Sequence, residues 1–162
     1  MKIYIFGKKG GGKTTLAREI SKNYDITAIH LDFLNPISDK KGYFKSLHKS
    51  IKEDSWIIEG TWEEEWGARD IAEAADVMIW IDLDDKINYD NRLDRLIRSK
   101  GGSTRHRSLW DSRWREALSA YKYDGAFHKE IWENHKGPKK KYESQWKWDD
   151  IKNFLNNECK GE

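Results

Sequence analysis

Cysteine is almost absent from this 162-residue chain: Cys159, three positions from the end, is the only one. A single thiol excludes an internal disulfide framework and a zinc site built from cysteines, and it fits a reducing cytoplasm, the location we expect. The histidines also lack the spacing of metal ligands, and we interpret them as structural or surface residues. They are His30, His48, His106, His128 and His135.

Long hydrophobic runs are missing too. No stretch stays apolar for the roughly 20 residues that a membrane-spanning helix needs. Met1-Lys2-Ile3 leads into a short apolar run and lacks the hydrophobic region of a signal peptide. We therefore expect no membrane partner. Only 37% of the residues are hydrophobic, but nine tryptophans and seven tyrosines bury large areas, so we expect one compact α/β domain.

A glycine-rich phosphate-binding motif stands near the N-terminus. Residues 7–14, the phosphate loop, read Gly-Lys-Lys-Gly-Gly-Gly-Lys-Thr and fit the pattern G-x-x-x-x-G-K-[ST] at every fixed position. The apolar run Lys2–Phe6 precedes the loop as a predicted strand, and Thr14–Asn23 follow with helical spacing. In that arrangement backbone N–H groups and the positive end of a helix surround a phosphate chain. The motif therefore predicts a nucleoside triphosphate site.

Each part of the loop has a predicted role. The glycines let the backbone approach the phosphates, Lys13 reaches the terminal phosphates, and the Thr14 hydroxyl ligates Mg²⁺. The expected cofactors are therefore ATP and Mg²⁺. We predict nucleotide contacts from Gly7, Gly10, Gly11, Gly12, Lys13, Thr14 and Thr15.

The rest of the chain alternates apolar runs with helical patterns. Such alternation predicts βαβ units, and hence one domain over residues 1–162 in three α/β/α layers around a five-stranded parallel sheet. The further strands are expected at Thr27–Leu31, Ser55–Ile58, Val77–Ile81 and, more weakly, Lys139–Ser144. Helices are expected at about Lys41–Glu53, Glu63–Ala75, Asp85–Arg98, Leu109–Tyr123, the stretch up to Asn134, and Trp148–Asn156.

Acidic residues end several of these strands. Glu59 follows an apolar run and is predicted to hold Mg²⁺, directly or through water, opposite Thr14. Asp32 ends the second strand and is predicted to orient an acceptor hydroxyl, to accept its proton, or to join the Mg²⁺ shell. The alternative for both is a strand-end acid without a chemical role. Asp82 and Asp84 fit helix capping better than catalysis.

Positive charge is concentrated in one segment. Residues 92–122 hold nine Lys or Arg and three Asp or Glu, on a chain whose remainder is acidic. Arginines stabilise the charge that develops in phosphoryl transfer, and a closing lid excludes water, so we predict catalytic roles for Arg105 and Arg107. The alternative is a solvated helix face. The arginines of the segment are Arg92, Arg95, Arg98, Arg105, Arg107, Arg113 and Arg115.

These motifs together resemble the adenylate-kinase-like branch of P-loop kinases, and within it the small group called DNA topology modulation protein-like. The matching segments are the phosphate loop, Ile29–Asp32, Ser55–Trp62 and Ala75–Arg98. The resemblance implies a P-loop NTPase fold, an acceptor region at about 33–55 and a helical, arginine-bearing lid at about 99–115. It also implies that Arg92 packs on the nucleotide base and that the loop around Ser144–Trp148 borders it.

The chain departs from this pattern in three places. Glu59 stands where an Asp is usual, Gly11 stands where Ser or Ala is common, and Lys8-Lys9 makes the loop unusually basic. The acceptor region is also short. These departures leave the identity of the acceptor open. The choice between ATP and GTP is open because the adenine pocket has no motif comparable to the phosphate loop, and the sequence does not give the oligomeric state.

Three functions remain under consideration. The first is a Mg²⁺-dependent kinase that moves the γ-phosphoryl group of ATP to a hydroxyl or phosphate of a nucleotide-like acceptor. The second keeps this donor but phosphorylates a hydroxymethylated pyrimidine in DNA, because phage kinases of that kind are similar in size and plan. The third is an NTP-binding regulatory or nucleic-acid-binding module with slow hydrolysis.

Overall fold

A computed structural model describes residues 1–31, 39–60, 66–119 and 125–158. Five parallel strands form one sheet, as the sequence predicts, and their order is β2-β3-β1-β4-β5. The strands are β1 Lys2–Gly7, β2 Ala28–His30, β3 Trp56–Gly60, β4 Val77–Ile81 and β5 Lys139–Tyr142. The helices are α1 Lys13–Tyr24, α2 Lys40–Ser50, α3 Ala68–Ala74, α4 Asp85–Ser99, α5 Arg107–Ser119, α6 Gly125–Asn134 and α7 Trp148–Glu158.

The central strand β1 divides the interior into two cores. Its side chains alternate between the two faces of the sheet, as those of any strand do. Tyr4 and Phe6 face a largely aromatic core with α2, α3 and α6, whereas Ile3 and Ile5 face an aliphatic core with α1 and α7. All four side chains are fully buried. Burial on both faces explains why β1 reads as an uninterrupted apolar run.

Two helix boundaries differ from those expected. The helix expected at Glu63–Ala75 is described only from Ala68, after Gly67, and residues 61–65 lie outside the described part of the chain. Gly67 has a φ of 85°, and a Cβ there would lie 2.7 Å from Cδ2 of Leu47. Such a backbone angle favours glycine over residues with a side chain, so the helix begins after this position.

The segment after α4 also differs from its prediction. One helix was expected at about Leu109–Tyr123, but α5 begins earlier, at Arg107, directly after a short 3-10 turn at Thr104–His106. Ser103 explains this early start in part, because its hydroxyl accepts a hydrogen bond from the backbone N–H of Arg105. The described part of α5 ends at Ser119.

The carboxyl ends of β1 and β3 carry the phosphate loop and Glu59, two of the features predicted to be functional. The phosphate loop follows β1, and Glu59 lies near the end of β3. In parallel sheets with helices on both faces, ligands bind at this edge. Among the described helices, none combines the length and the apolar character required to cross a membrane.

The importance of the β1 core can be tested with a matched pair of isoleucines. Ile5→Ala removes a fully buried side chain, whereas Ile87→Ala removes one that is 39% exposed on α4. We expect Ile5→Ala to lower the free energy of unfolding by about 2–5 kcal/mol and Ile87→Ala to change it by about 0.5 kcal/mol. Urea denaturation of both variants measures this difference. Equal losses would contradict the placement of the core.

Candidate nucleotide-binding site

The phosphate loop turns sharply between β1 and α1. Gly10 and Gly12 have φ angles of 93° and 86°, in the left-handed region that favours glycine. The loop closes on itself through the carbonyl oxygen of Lys8, which accepts hydrogen bonds from the Gly11 N–H at 3.4 Å and from Lys13 Nζ at 2.9 Å. The side chain of Lys13, a residue that is 7% exposed, therefore turns back towards the loop.

Gly11 is required for a different reason, because the side chain of Ile81 lies very close to its backbone. Its φ is not positive, but a Cβ at this position would lie 2.7 Å from Cγ2 of Ile81, a fully buried residue at the end of β4. Real Cβ atoms do not come so near to a carbon atom, so a side chain here would displace the strand end. This contact gives a physical reason for glycine at a position where the resemblance implies Ser or Ala.

A cavity of about 400 Å³ opens beside the loop. It brings together the phosphate loop, Glu59 of β3, and residues of α4 and of the segment between β5 and α7. The described residues that line it are Lys9, Gly10, Gly12, Lys13, Thr14, Thr15, Glu59, Asn91, Arg95 and Gln145. Lys13, Thr14, Thr15 and Glu59, predicted separately from the sequence, thus share one cavity.

Three residues that line this cavity, Asn91, Arg95 and Gln145, were not among the individually predicted site residues. Asn91 donates a hydrogen bond from Nδ2 to the carbonyl oxygen of Gly10 at 2.9 Å, and so ties α4 to the loop. Arg95 was predicted only as one member of the arginine cluster. Its position one helical turn after Arg92 is the sequence pattern that could have placed it near the nucleotide. Gln145 was not predicted individually, but it lies in the loop around Ser144–Trp148 that the resemblance implies borders the nucleotide base.

Glu59 lies at the centre of a three-residue contact. Thr14 Oγ1 donates a hydrogen bond to Glu59 Oε1 at 2.9 Å, and His30 Nδ1 lies 2.8 Å from the same oxygen. Glu59 is 3% exposed. The interpretation of His30 as a structural or surface residue is therefore incomplete, since its ring contacts a predicted Mg²⁺ ligand.

The groups present fit a Mg²⁺ ion that is held together with phosphates. Among the described residues, no group of three or more His, Cys, Asp and Glu side chains is placed to enclose a metal by itself. Mg²⁺ usually takes one or two protein oxygens and completes its shell with phosphate and water. The buried Glu59 carboxylate and the Thr14 hydroxyl, both on the cavity wall, match that requirement.

A second and larger cavity, of about 1030 Å³, is lined by Lys8 and Lys9 of the loop. Lys8 Nζ lies 2.8 Å from Asp85 and 3.7 Å from Asp82, and Lys141 Nζ lies 3.0 Å from Asp82. Asp82 thus joins two lysines, which corrects its interpretation as a helix cap. Asp84 does cap α4, because its side chain accepts a hydrogen bond from the Lys86 N–H. The aromatic ring of Trp80 also lines this cavity.

Comparison with known proteins places this geometry in a fold group. No protein-family model and no curated protein matches the sequence. Shikimate kinase from Acinetobacter baumannii matches with a TM-score of 0.58 at 12% identity, over 98% of this chain and 95% of its own. YorR from Bacillus subtilis, solved with phosphorylated GDP, matches at 0.54 and 18%, over 99% of each chain. Deoxyadenosine kinase from M. mycoides, solved with dATP, matches at 0.53 and 14%, over 99% of this chain and 100% of its own. This is the P-loop NTPase fold.

In this P-loop NTPase fold the two arginines predicted as catalytic do not line the loop cavity, whose described lining is given above. Arg105 is exposed on the 3-10 turn. Arg107 lies at the start of α5 and pairs with Asp90, at 2.6 Å, and with Asp94, both on α4. The pKa of Asp90 is lowered, mainly because Lys86 donates a hydrogen bond to it and further because Arg107 does.

Two other arginines of the basic segment, Arg92 and Arg115, lie in different surroundings. Arg92 lies against the loop, since a Cβ at Gly10 would come within 3.0 Å of its Cγ, and it lines the larger cavity. Arg115 pairs with Asp111, to which Tyr89 also donates a hydrogen bond. These bonds, first from Tyr89 and then from Arg115, lower the pKa of Asp111.

Asp32 and part of the acceptor region lie outside the described residues. Residues 32–38 belong to that undescribed part, so the predicted role of Asp32 stays a prediction. The described neighbours of Asp32 are consistent with the predicted order of elements, because β2 ends at His30 beside Glu59 of β3.

The close approach at Gly11 can be tested by substitution. We expect Gly11→Ala to lower the free energy of unfolding by about 1–3 kcal/mol, because the new methyl group overpacks against Ile81. ATP affinity, measured by calorimetry, should fall with it, since the loop must shift. The cost should be smaller in an Ile81→Ala background, where Cγ2 is absent. Purely additive losses in the double variant would contradict the contact.

Proposed function

We propose that the protein is a Mg²⁺-dependent phosphotransferase that moves the γ-phosphoryl group of ATP to a nucleotide-like acceptor. The observation that carries this proposal is the hydrogen bond between Thr14 and Glu59 in the cavity that Lys13 also lines. An ammonium group, a hydroxyl and a carboxylate beside a glycine-rich turn are the groups with which such folds hold a triphosphate and its cation. The resemblance to the DNA topology modulation protein-like kinases supports the same assignment.

Each described residue of the loop cavity that could bind ATP or Mg²⁺ has a proposed role. Lys13 Nζ, which donates a hydrogen bond to the carbonyl oxygen of Lys8, would leave that oxygen and bind the β- and γ-phosphates. Thr14 and Glu59 would hold Mg²⁺, which when bound neutralises charge on the phosphate oxygens. Arg95 reaches the same cavity from α4 and would contribute a further positive charge.

The nucleoside of ATP would lie between α4 and the segment after β5. Gln145 lines the loop cavity, and a Cβ at Gly12 would come within 3.1 Å of Trp146 Nε1. This indole nitrogen is buried and has no hydrogen-bond partner among the described residues. These contacts support the expectation that the segment around Ser144–Trp148 borders the base, and Arg92 remains the proposed residue on its other side.

The larger cavity is the proposed acceptor site. Lys9 lines both cavities, so an acceptor held in the larger one would approach the donor phosphates across the Lys8-Lys9 turn. The large cavity is lined by several cations and by the aromatic side chains of Trp80 and Tyr89, which suits a ligand with a phosphate and a base. Two of the similar structures hold nucleotides, which supports a nucleotide-like acceptor. We further propose that Asp32 orients the acceptor hydroxyl or accepts its proton.

Lys13→Ala tests the donor assignment. We expect it to abolish phosphoryl transfer, because the charge that binds the terminal phosphates is lost. The assay incubates the protein with ATP, Mg²⁺ and a panel of nucleosides, nucleotides and oligonucleotides with hydroxymethylated pyrimidines. Lys22→Ala, which changes an exposed lysine on the same helix, is the control and should retain full turnover.

The panel also distinguishes the alternatives. Transfer to an oligonucleotide and to no free nucleotide would establish the DNA-kinase alternative. ATP binding without transfer to any acceptor would favour the NTP-binding module. Retained turnover in Lys13→Ala would contradict the assignment of the phosphate loop itself.

Lys129→Ala tests the acceptor site. Lys129 is 68% exposed, lines the larger cavity from α6 and is not among the described residues of the loop cavity. We expect the KM for the acceptor to rise about fivefold, since an exposed charge contact contributes roughly 1 kcal/mol. The KM for ATP should not change. A rise in the KM for ATP alone would place the acceptor elsewhere.

A further inference from the structure

We propose that His30 is a positioning residue of the Mg²⁺ site, whose ring holds the Glu59 carboxylate in the orientation that the cation requires. This inference rests on the proposed function, because it assigns a role within the same cation site. The observation that carries it is the distance of 2.8 Å between His30 Nδ1 and Glu59 Oε1.

The register of the sheet brings His30 and Glu59 next to each other. His30 lies directly opposite Glu59 in the parallel pairing of β2 with β3. Paired residues on neighbouring strands direct their side chains to the same face. Both side chains are shielded from solvent, with 15% of the His30 side chain and 4% of the Glu59 side chain exposed. Little water therefore competes for the hydrogen bond.

Two elements hold the same carboxylate oxygen. Thr14 at the start of α1 and His30 at the end of β2 both contact Glu59 Oε1. An ionised carboxylate only accepts hydrogen bonds, so the ring nitrogen is the donor. A glutamate side chain has several rotatable bonds, and its free rotation costs affinity whenever a ligand must fix it. Restraint by His30 removes part of that cost before a cation binds.

His30 acts through Glu59 and does not itself reach the cavity. Thr14 and Glu59 are among the described residues that line the loop cavity, and His30 is not. It therefore differs from the proposed cation ligands. Groups that hydrogen-bond to metal ligands in this way typically contribute 10- to 100-fold to metal affinity or activity. The competing explanation is that the imidazole only fills space between two strands, in which case a donor at Nδ1 would not matter.

Substitutions that shift or remove the hydrogen-bond donor at position 30 distinguish a positioning role from a space-filling role. His30→Asn places an amide nitrogen as many bonds from Cβ as Nδ1 is, whereas His30→Gln places it one bond further and His30→Leu removes it. Mn²⁺ is titrated into the full-length protein with saturating ADP, and free Mn²⁺ is followed by electron paramagnetic resonance. We expect His30→Leu and His30→Gln to raise the Kd for Mn²⁺ about 10-fold or more, and His30→Asn to raise it less than about threefold.

Control variants identify the cause of any loss. His48→Leu, which removes an imidazole that is 50% exposed and paired with Asp70, should leave the Kd for Mn²⁺ unchanged. In a Glu59→Gln background, His30→Leu should add little, because the group that it positions has changed. ADP affinity in the presence of EDTA should be the same in all variants.

Two results would overturn the inference. The first is an unchanged Kd in His30→Leu, and the second is an equal loss in His30→Asn and His30→Gln, which would indicate a space-filling role. If His30→Leu does not fold, the comparison of the two amide variants decides by itself. Failure of the proposed function looks different: ADP would then not increase Mn²⁺ binding to the unsubstituted protein.

Discussion

The register of the three central strands is the constraint on which the site depends. β1 pairs with β3 on one side and with β4 on the other, so that Ile5 lies opposite Glu59 and Gly7 lies opposite Ile81. The phosphate loop begins where β1 ends, and this register therefore sets the distance from the loop to the Glu59 carboxylate. A shift of one residue would turn Glu59 to the other face of the sheet and move it away from Thr14.

Charge compensation is the second feature of the site. Lys8 and Lys141 are bound to Asp82, and Arg107 is bound to two aspartates of α4. Within the basic segment, residues 92–122, Arg107 pairs with Asp90 and Asp94, and Arg115 pairs with Asp111. A phosphate of the proposed acceptor in the larger cavity would have to compete with Asp82 and Asp85, which line that cavity and pair with its lysines. Lys13 and Arg95 line the loop cavity, where the donor phosphates are proposed to bind.

These ion pairs affect the catalytic roles predicted for the arginines of the lid, Arg105 and Arg107. Arg107 connects α5 to α4 through Asp90 and Asp94. It would contact phosphate only if α5 moved and these pairs opened. Lid movements of that kind accompany substrate binding in many phosphotransferases. In the conformation described here, these ion pairs hold the start of α5 against α4.

Much of the donor site could be predicted from the sequence. The phosphate loop is a local motif, and its flanking strand and helix follow from short-range periodicity, so Lys13, Thr14 and the glycines could be assigned from neighbouring residues alone. Glu59 could be placed near them because parallel strands end at one edge of the sheet. The five-stranded sheet followed from the same alternation of patterns and is confirmed.

The remaining features depended on contacts between residues far apart in the chain. Only the tertiary structure paired His30 with Glu59, brought Ile81 against Gly11, and bound Arg107 to α4 instead of the loop cavity. Strand register and helix packing decide such contacts, and neither can be read from local spacing. The sequence by itself determined which loop is the candidate phosphate site, because the motif is contained in eight consecutive residues. Only the tertiary structure decided which distant side chains contact this loop and Glu59, because those contacts depend on which surfaces of the chain are buried together.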